Sequence, residues 1–179
     1  MYRLLRSRHM YSYYRMLFTQ KKMKTPNAIA QVAEFHVTFK HPILATPRIP
    51  QAARAALRVE LLAEELKELQ EAINKGDIIE AADALCDLQY VLSGAVLEFG
   101  LGDTFKALFD EVHRSNMSKA CDTIEEAEAT VTHYFEKDGT VAGYRADGDK
   151  YLVFRVADNK TLKSINYSPA KLGGLLCLQ

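Results

Sequence analysis

Residues 57–99, LRVELLAEELKELQEAINKGDIIEAADALCDLQYVLSGAVLEF, decide the fold. Leu62, Leu66, Leu69 and Ile73 recur at i, i+4, i+7 and i+11, the spacing of one face of an α-helix. Gly76 can close that helix in the left-handed conformation, and Asp77 can cap the next one. The second pattern, Ile78 to Phe99, is apolar nearly all round, as a helix buried in a bundle is. Two acidic clusters interrupt this apolar background: Glu64-Glu65-x-x-Glu68, then Glu80-x-x-Asp83-x-x-x-Asp87.

Turning each residue by about 100° shows where these carboxylates point. Glu65 and Glu68 flank the leucine stripe, with Glu64 one step further round. Glu80, Asp83 and Asp87 fall within about one-sixth of a turn of one another, on a strip shared with Val91 and Gly94. Glutamates are good helix formers on solvated faces, and Lys67 and Lys75 can pair with Glu71 at i±4. The second cluster has no base at i±3 or i±4. Several ionised carboxylates in an apolar setting need a cation, and carboxylates without His or Cys select a hard one, Mg²⁺ or Mn²⁺. Such ions bind phosphates, so the pattern points to chemistry on a polyphosphate.

Outward from this pair, Asn27–Lys40 reads as a helix and His41–Pro50, with three prolines, as a loop. Pro50 lies near the first turn of the long second helix. A fourth helix begins near Asp103, with Phe105, Leu108, Phe109 and Val112 on its inner face. Continuing that face brings in Asn116 and Lys119, an amide and an ammonium suited to phosphate, sugar or base contacts. A helix ending in polar residues is the plainer reading of that pair. Arg114 lies off the face and is expected to reach a partner subunit. Thr123 and Glu126 form a capping box for a fifth helix towards Phe135.

Beyond Asp138-Gly139 the period changes. Val141–Tyr144 and Tyr151–Val156 read as strands around an Asp147-Gly148 turn, with Leu162–Tyr167 as a third short strand. The expected organisation is a basic extension over 1–25, a helical domain over 26–137 and a small antiparallel β appendage over 138–179. The fold class is mainly α: about five helices in a bundle assembled with a partner subunit, plus the appendage.

A formal net charge of +0 argues against a general nucleic-acid or membrane-surface binder. No apolar run approaches the roughly 18 residues of a membrane-spanning helix. Three cysteines, Cys86, Cys121 and Cys177, without a C-x-x-C pair fit reduced thiols in a cytoplasmic protein. Residues 1–25 hold seven Arg and Lys and no acid. They read as an organellar transit peptide, a basic arm, or sequence upstream of a start at Met23.

The words Glu64-Glu65-Leu66-Lys67-Glu68 and Glu80-Ala81-Ala82-Asp83, with the later run Glu111-Val112-His113-Arg114-Ser115-Asn116-Met117-Ser118-Lys119, resemble the MazG-like all-α nucleoside triphosphate pyrophosphohydrolases. The resemblance covers about residues 28–120. It implies helices from two subunits around each site, in a homodimer or homotetramer, and cleavage of NTPs or dNTPs to a monophosphate and pyrophosphate. By motif position, Glu65, Glu68, Glu80 and Asp83 would hold Mg²⁺ (or Mn²⁺) and Glu64 would activate water. Asp87 is an extra acid on the metal-facing strip. Asn116 and Lys119 would meet the nucleotide. His36 and Phe39 would line the base pocket, with a plain core role as the other reading. Phosphoribosyl-ATP pyrophosphohydrolase is the nearest rival activity, and a non-catalytic metal- and nucleotide-binding helical dimer the rival from another class.

Overall fold

The structure, a computed structural model, describes residues 24–176, so the expectations for the basic extension fall almost wholly outside the described residues, as does Cys177. Five helices follow in order: α1 (Ala28–Phe39), α2 (Ala52–Lys75), α3 (Ile78–Glu98), α4 (Phe105–Met117) and α5 (Ile124–Asp138). A two-stranded antiparallel sheet, β1 (Ala142–Asp147) and β2 (Lys150–Arg155), and a 3-10 turn (Gly173–Leu175) follow among the described residues. The mainly helical class with a C-terminal sheet is thus what the periodicity predicts.

Local chemistry sets the boundaries. Gly76 adopts φ +70° and closes α2, and the Asp77 carboxylate accepts the Ile79 and Glu80 N–H groups at 3.0 and 3.2 Å. Thr123 accepts the Glu126 N–H, while the Glu126 carboxylate takes the Asp122 N–H, one residue earlier than the standard capping box would have it. Asp147 pairs with Lys150 across the hairpin, and Gly148 supplies φ +64° at its first loop position.

The third strand does not form. Thr161 makes a single bridge to Phe154 and the Leu162 N–H still bonds the Val153 carbonyl, after which the 163–167 backbone turns away to bond α5 side chains, the Lys119 carbonyl and Ser164. Its N–H groups are satisfied there, so no ladder is needed.

Two packed bodies result. In the first, α3 lies between α2 and α1. Ala72, Ala81 and Ala84 are buried at the α2–α3 seam and let the backbones approach closely. In the second, α5 covers the hairpin over a core of Cys121, Ala127, Val153 and Leu162. Packing therefore groups α5 with the sheet. The apolar stripe of α2 is the larger surprise: Leu66 and Ile73 are each 59% exposed and Val59 67%. The face of α2 that meets α3 carries Arg58, Glu65 and Ala72 instead. Periodicity identifies an apolar face correctly but does not say which neighbour covers it.

Among the described residues no helix is long and apolar enough to cross a membrane.

Candidate active site

The α2–α3 seam brings five of the predicted acids near one another. Glu65 is half-buried, and its Oε2 atom is buried without any hydrogen-bond partner. Burial pushes the Glu65 carboxyl above its ordinary value, and the charges of Asp87, Glu68, Glu64 and Asp83, in that order, push it further. Asp87, which the motif leaves without a role, is thus the strongest charge acting on Glu65. Glu64, Glu68, Asp83 and Asp87 are themselves exposed. Glu80 sits in the first turn of α3, where the helix dipole favours it. Glu71 takes the ordinary role, facing Lys67 at 3.8 Å and Lys75 at 3.9 Å.

Among the described residues no three His, Cys, Asp or Glu side chains converge as a finished metal cage. The donor set still fits a hard divalent cation: oxygen ligands only, and one buried carboxylate oxygen lacking a partner.

The other predicted residues lie elsewhere. Asn116 is exposed and Lys119 half-buried at the end of α4, where the Lys119 ammonium donates to Asn116 Oδ1 at 2.8 Å. α4 shares no extensive interface with α2 or α3, so the chain alone does not bring this pair onto the carboxylates. Arg114, exposed, is bonded within the chain by Glu111, Ser168 and Pro169. Phe39 is 60% exposed and packs on Phe35 with ring centroids 4.4 Å apart, a surface aromatic pair.

His36 lies in the interior. Its Nδ1 bonds the Pro42 carbonyl at 2.9 Å, and its Nε2 faces Arg58 at 3.4 Å. Burial lowers its pKa, against the opposing effect of the Pro42 bond, with the Arg58 charge lowering it further. His36 belongs to a buried cluster that the sequence reading missed. Glu98, fully buried in the last turn of α3, is bonded by both Arg54 and Arg58 from α2, with Arg54 Nε at 3.0 Å. Burial pushes the Glu98 carboxyl up, but the two arginine bonds outweigh it and hold the group below its ordinary value. An acid at the unfavourable end of an apolar helix, with two arginines four apart on its neighbour, was the available signal.

Gly94 makes the cluster possible. A Cβ there would stand 2.7 Å from Arg58 Nη1 and 3.1 Å from His36 Nε2. At Gly100, φ +68°, a Cβ would collide with the Thr46 carbonyl. That close approach lets the 41–50 loop bond the end of α3 through Leu44 and Arg48 N–H groups, at 3.0 and 3.1 Å.

Adjoining helices with the two acidic words on a helical core are the arrangement expected of the MazG-like class. Residues 32–116 match the family model described as phosphoribosyl-ATP pyrophosphohydrolase. That match is consistent with the MazG-like all-α pyrophosphohydrolase superfamily, which includes this family and whose members are typically dependent on a divalent metal. The chain is also similar to an uncharacterized protein of Acanthamoeba polyphaga mimivirus, 24% identical over 237 aligned positions that cover 81% of this chain and 94% of the relative.

Proposed function

We propose that this protein is a cytoplasmic Mg²⁺-dependent nucleoside triphosphate pyrophosphohydrolase that converts a (d)NTP to its monophosphate and pyrophosphate. The observation that carries the reading is the buried, unpartnered Glu65 oxygen among Glu64, Glu68, Asp83 and Asp87. Glu65, Glu68, Asp83 and Asp87, with Glu80 from the start of α3, would hold Mg²⁺ or Mn²⁺. Bound there, the cation would offset the phosphate charge that builds during attack. Glu64 is exposed and free to take the proton of the attacking water. Phe39 offers an aromatic face to the base, with His36 behind it fixing the α1 end.

The working form is a homodimer or homotetramer. Val59, Leu66 and Ile73 leave an apolar stripe open along α2, and a second copy covers it. Because Asn116 and Lys119 stand on a helix that does not pack on α2 or α3, assembly also brings that polar end to the carboxylates.

The test is pyrophosphate release from a panel of NTPs, dNTPs and phosphoribosyl-ATP with Mg²⁺. Turnover of at least one nucleoside triphosphate is expected. Glu64→Gln should lower kcat by about 10²–10⁴-fold with the fold intact. Full activity in both Glu65→Gln and Asp83→Asn would sink the site assignment.

A further inference from the structure

The segment that leaves β2 has no role in the reading above, yet it is anchored on both sides. On one side, the Lys163 N–H donates to the Tyr134 hydroxyl at 3.2 Å and the Ile165 N–H to Thr130 Oγ1 at 3.1 Å, both on α5. On the other, the Ser164 N–H donates to the Lys119 carbonyl at 3.2 Å and the Ser168 N–H to Ser118 Oγ at 3.0 Å. The Lys171 N–H donates to the Glu111 carboxylate at 2.8 Å. Residues 163–171 therefore strap the last turns of α4, the turns that carry Asn116 and lead to Lys119.

The strap also carries charge into that corner. Lys163 Nζ stands 4.2 Å from the centroid of the Tyr167 ring, and the Tyr167 hydroxyl bonds the buried Ser115 Oγ at 2.9 Å. The Ser115 bond, then Lys163, Lys119 and Arg114, hold the Tyr167 phenol below its ordinary value, so all three cations bear on one small region. Arg114 is neutralised by Glu111. Among the described residues Lys119 and Lys163 have no carboxylate partner. One ammonium group is carried by the end of α4 and the other by a doubly anchored strap whose Ser164 N–H bonds the Lys119 carbonyl, so two cations on adjoining backbone are open to a shared anion.

We propose that Lys163, supplied by the C-terminal strap, forms with Lys119 a cradle for the polyphosphate chain of the substrate, and that Tyr167 is the positioning residue that sets the Lys163 stem. The proposal rests on the function inferred above and extends it to a segment beyond the family match, which ends at residue 116.

The test uses the full chain and inorganic tripolyphosphate, titrated by calorimetry without divalent cations, beside steady-state turnover of the best nucleotide. Lys163 is exposed, so Lys163→Ala and Lys163→Arg keep the fold. Lys163→Ala is expected to raise the tripolyphosphate Kd about tenfold, and KM by a similar factor with much less change in kcat. Lys163→Arg should restore most of both. Unchanged tripolyphosphate affinity in Lys163→Ala overturns the cradle, whether or not the enzyme is active. A wild-type chain that turns over no nucleotide, but whose tripolyphosphate affinity still falls in Lys163→Ala, overturns the hydrolase reading and leaves the anion site standing.

Discussion

The two bodies of this chain are held together in opposite ways. The α5–hairpin body encloses an apolar core of Cys121, Ala127, Val153 and Leu162, and its strands and strap find their hydrogen bonds within the chain. In the α1–α3 body, a charged cluster is among the most deeply buried features, while Val59, Leu66 and Ile73 on α2 face outward and Leu62 and Leu69 are half-buried. The first packs a small apolar core within the chain; the second buries an ion cluster, and in the proposed assembly a second copy would cover its open stripe.

Breaking the cluster tests this contrast most severely. Glu98→Ala leaves Arg58 buried without its counter-charge and should cost about 3–5 kcal/mol. Hydrogen exchange should then show protection lost across α1–α3 and kept over residues 121–164; equal loss in both would show one cooperative unit. Val153→Ala is the reciprocal experiment. It removes two buried methyl groups, should cost about 2 kcal/mol, and should reduce protection in the hairpin first. Leu66→Arg sharpens the contrast differently: it should weaken self-association by at least about tenfold in sedimentation, with the melting of the α5–hairpin body unaltered.

The smallest expected effect concerns pH. Glu65 holds its proton more tightly in the folded chain than when unfolded. Its contribution therefore favours the fold below the carboxylate range and turns against it as pH rises through its raised folded value. Without divalent cations, the stability difference between wild type and Glu65→Gln should grow as pH rises from the ordinary carboxylate value through the raised folded value of Glu65, with the variant more stable. Added Mg²⁺ or Mn²⁺ should narrow that difference by stabilising wild type alone. A pH-independent difference would remove Glu65 from the seam.

Helix ends were readable because their chemistry is local: Gly76, Asp77, Thr123 and Gly139 each act on backbone within four residues. The acidic words were readable as well, because helical spacing fixes which carboxylates share a face. Partners distant in sequence were not readable. The Glu98 bonds to Arg54 and Arg58 span 44 and 40 residues, and the Tyr167–Ser115 bond spans 52. The third strand failed for the same reason, since Leu162–Tyr167 had the composition of a strand but, past Leu162, its N–H groups found partners on α5, on Lys119 and on Ser164. The direction of the α2 stripe could not be read because a period carries no information about which neighbour lies opposite.

Gly94 has a consequence for anyone redesigning the chain. Glycine inside a long helix is usually the first position replaced by alanine, for a gain of about 1 kcal/mol in backbone propensity. Here the added methyl would enter the space held by a guanidinium that is itself pinned to Glu98. A stabilising rule applied from sequence alone would thus wedge α3 away from α2 and loosen the seam that presents Glu65. Position 94 ties the rigidity of the backbone to the placement of a charge, and the two cannot be optimised separately.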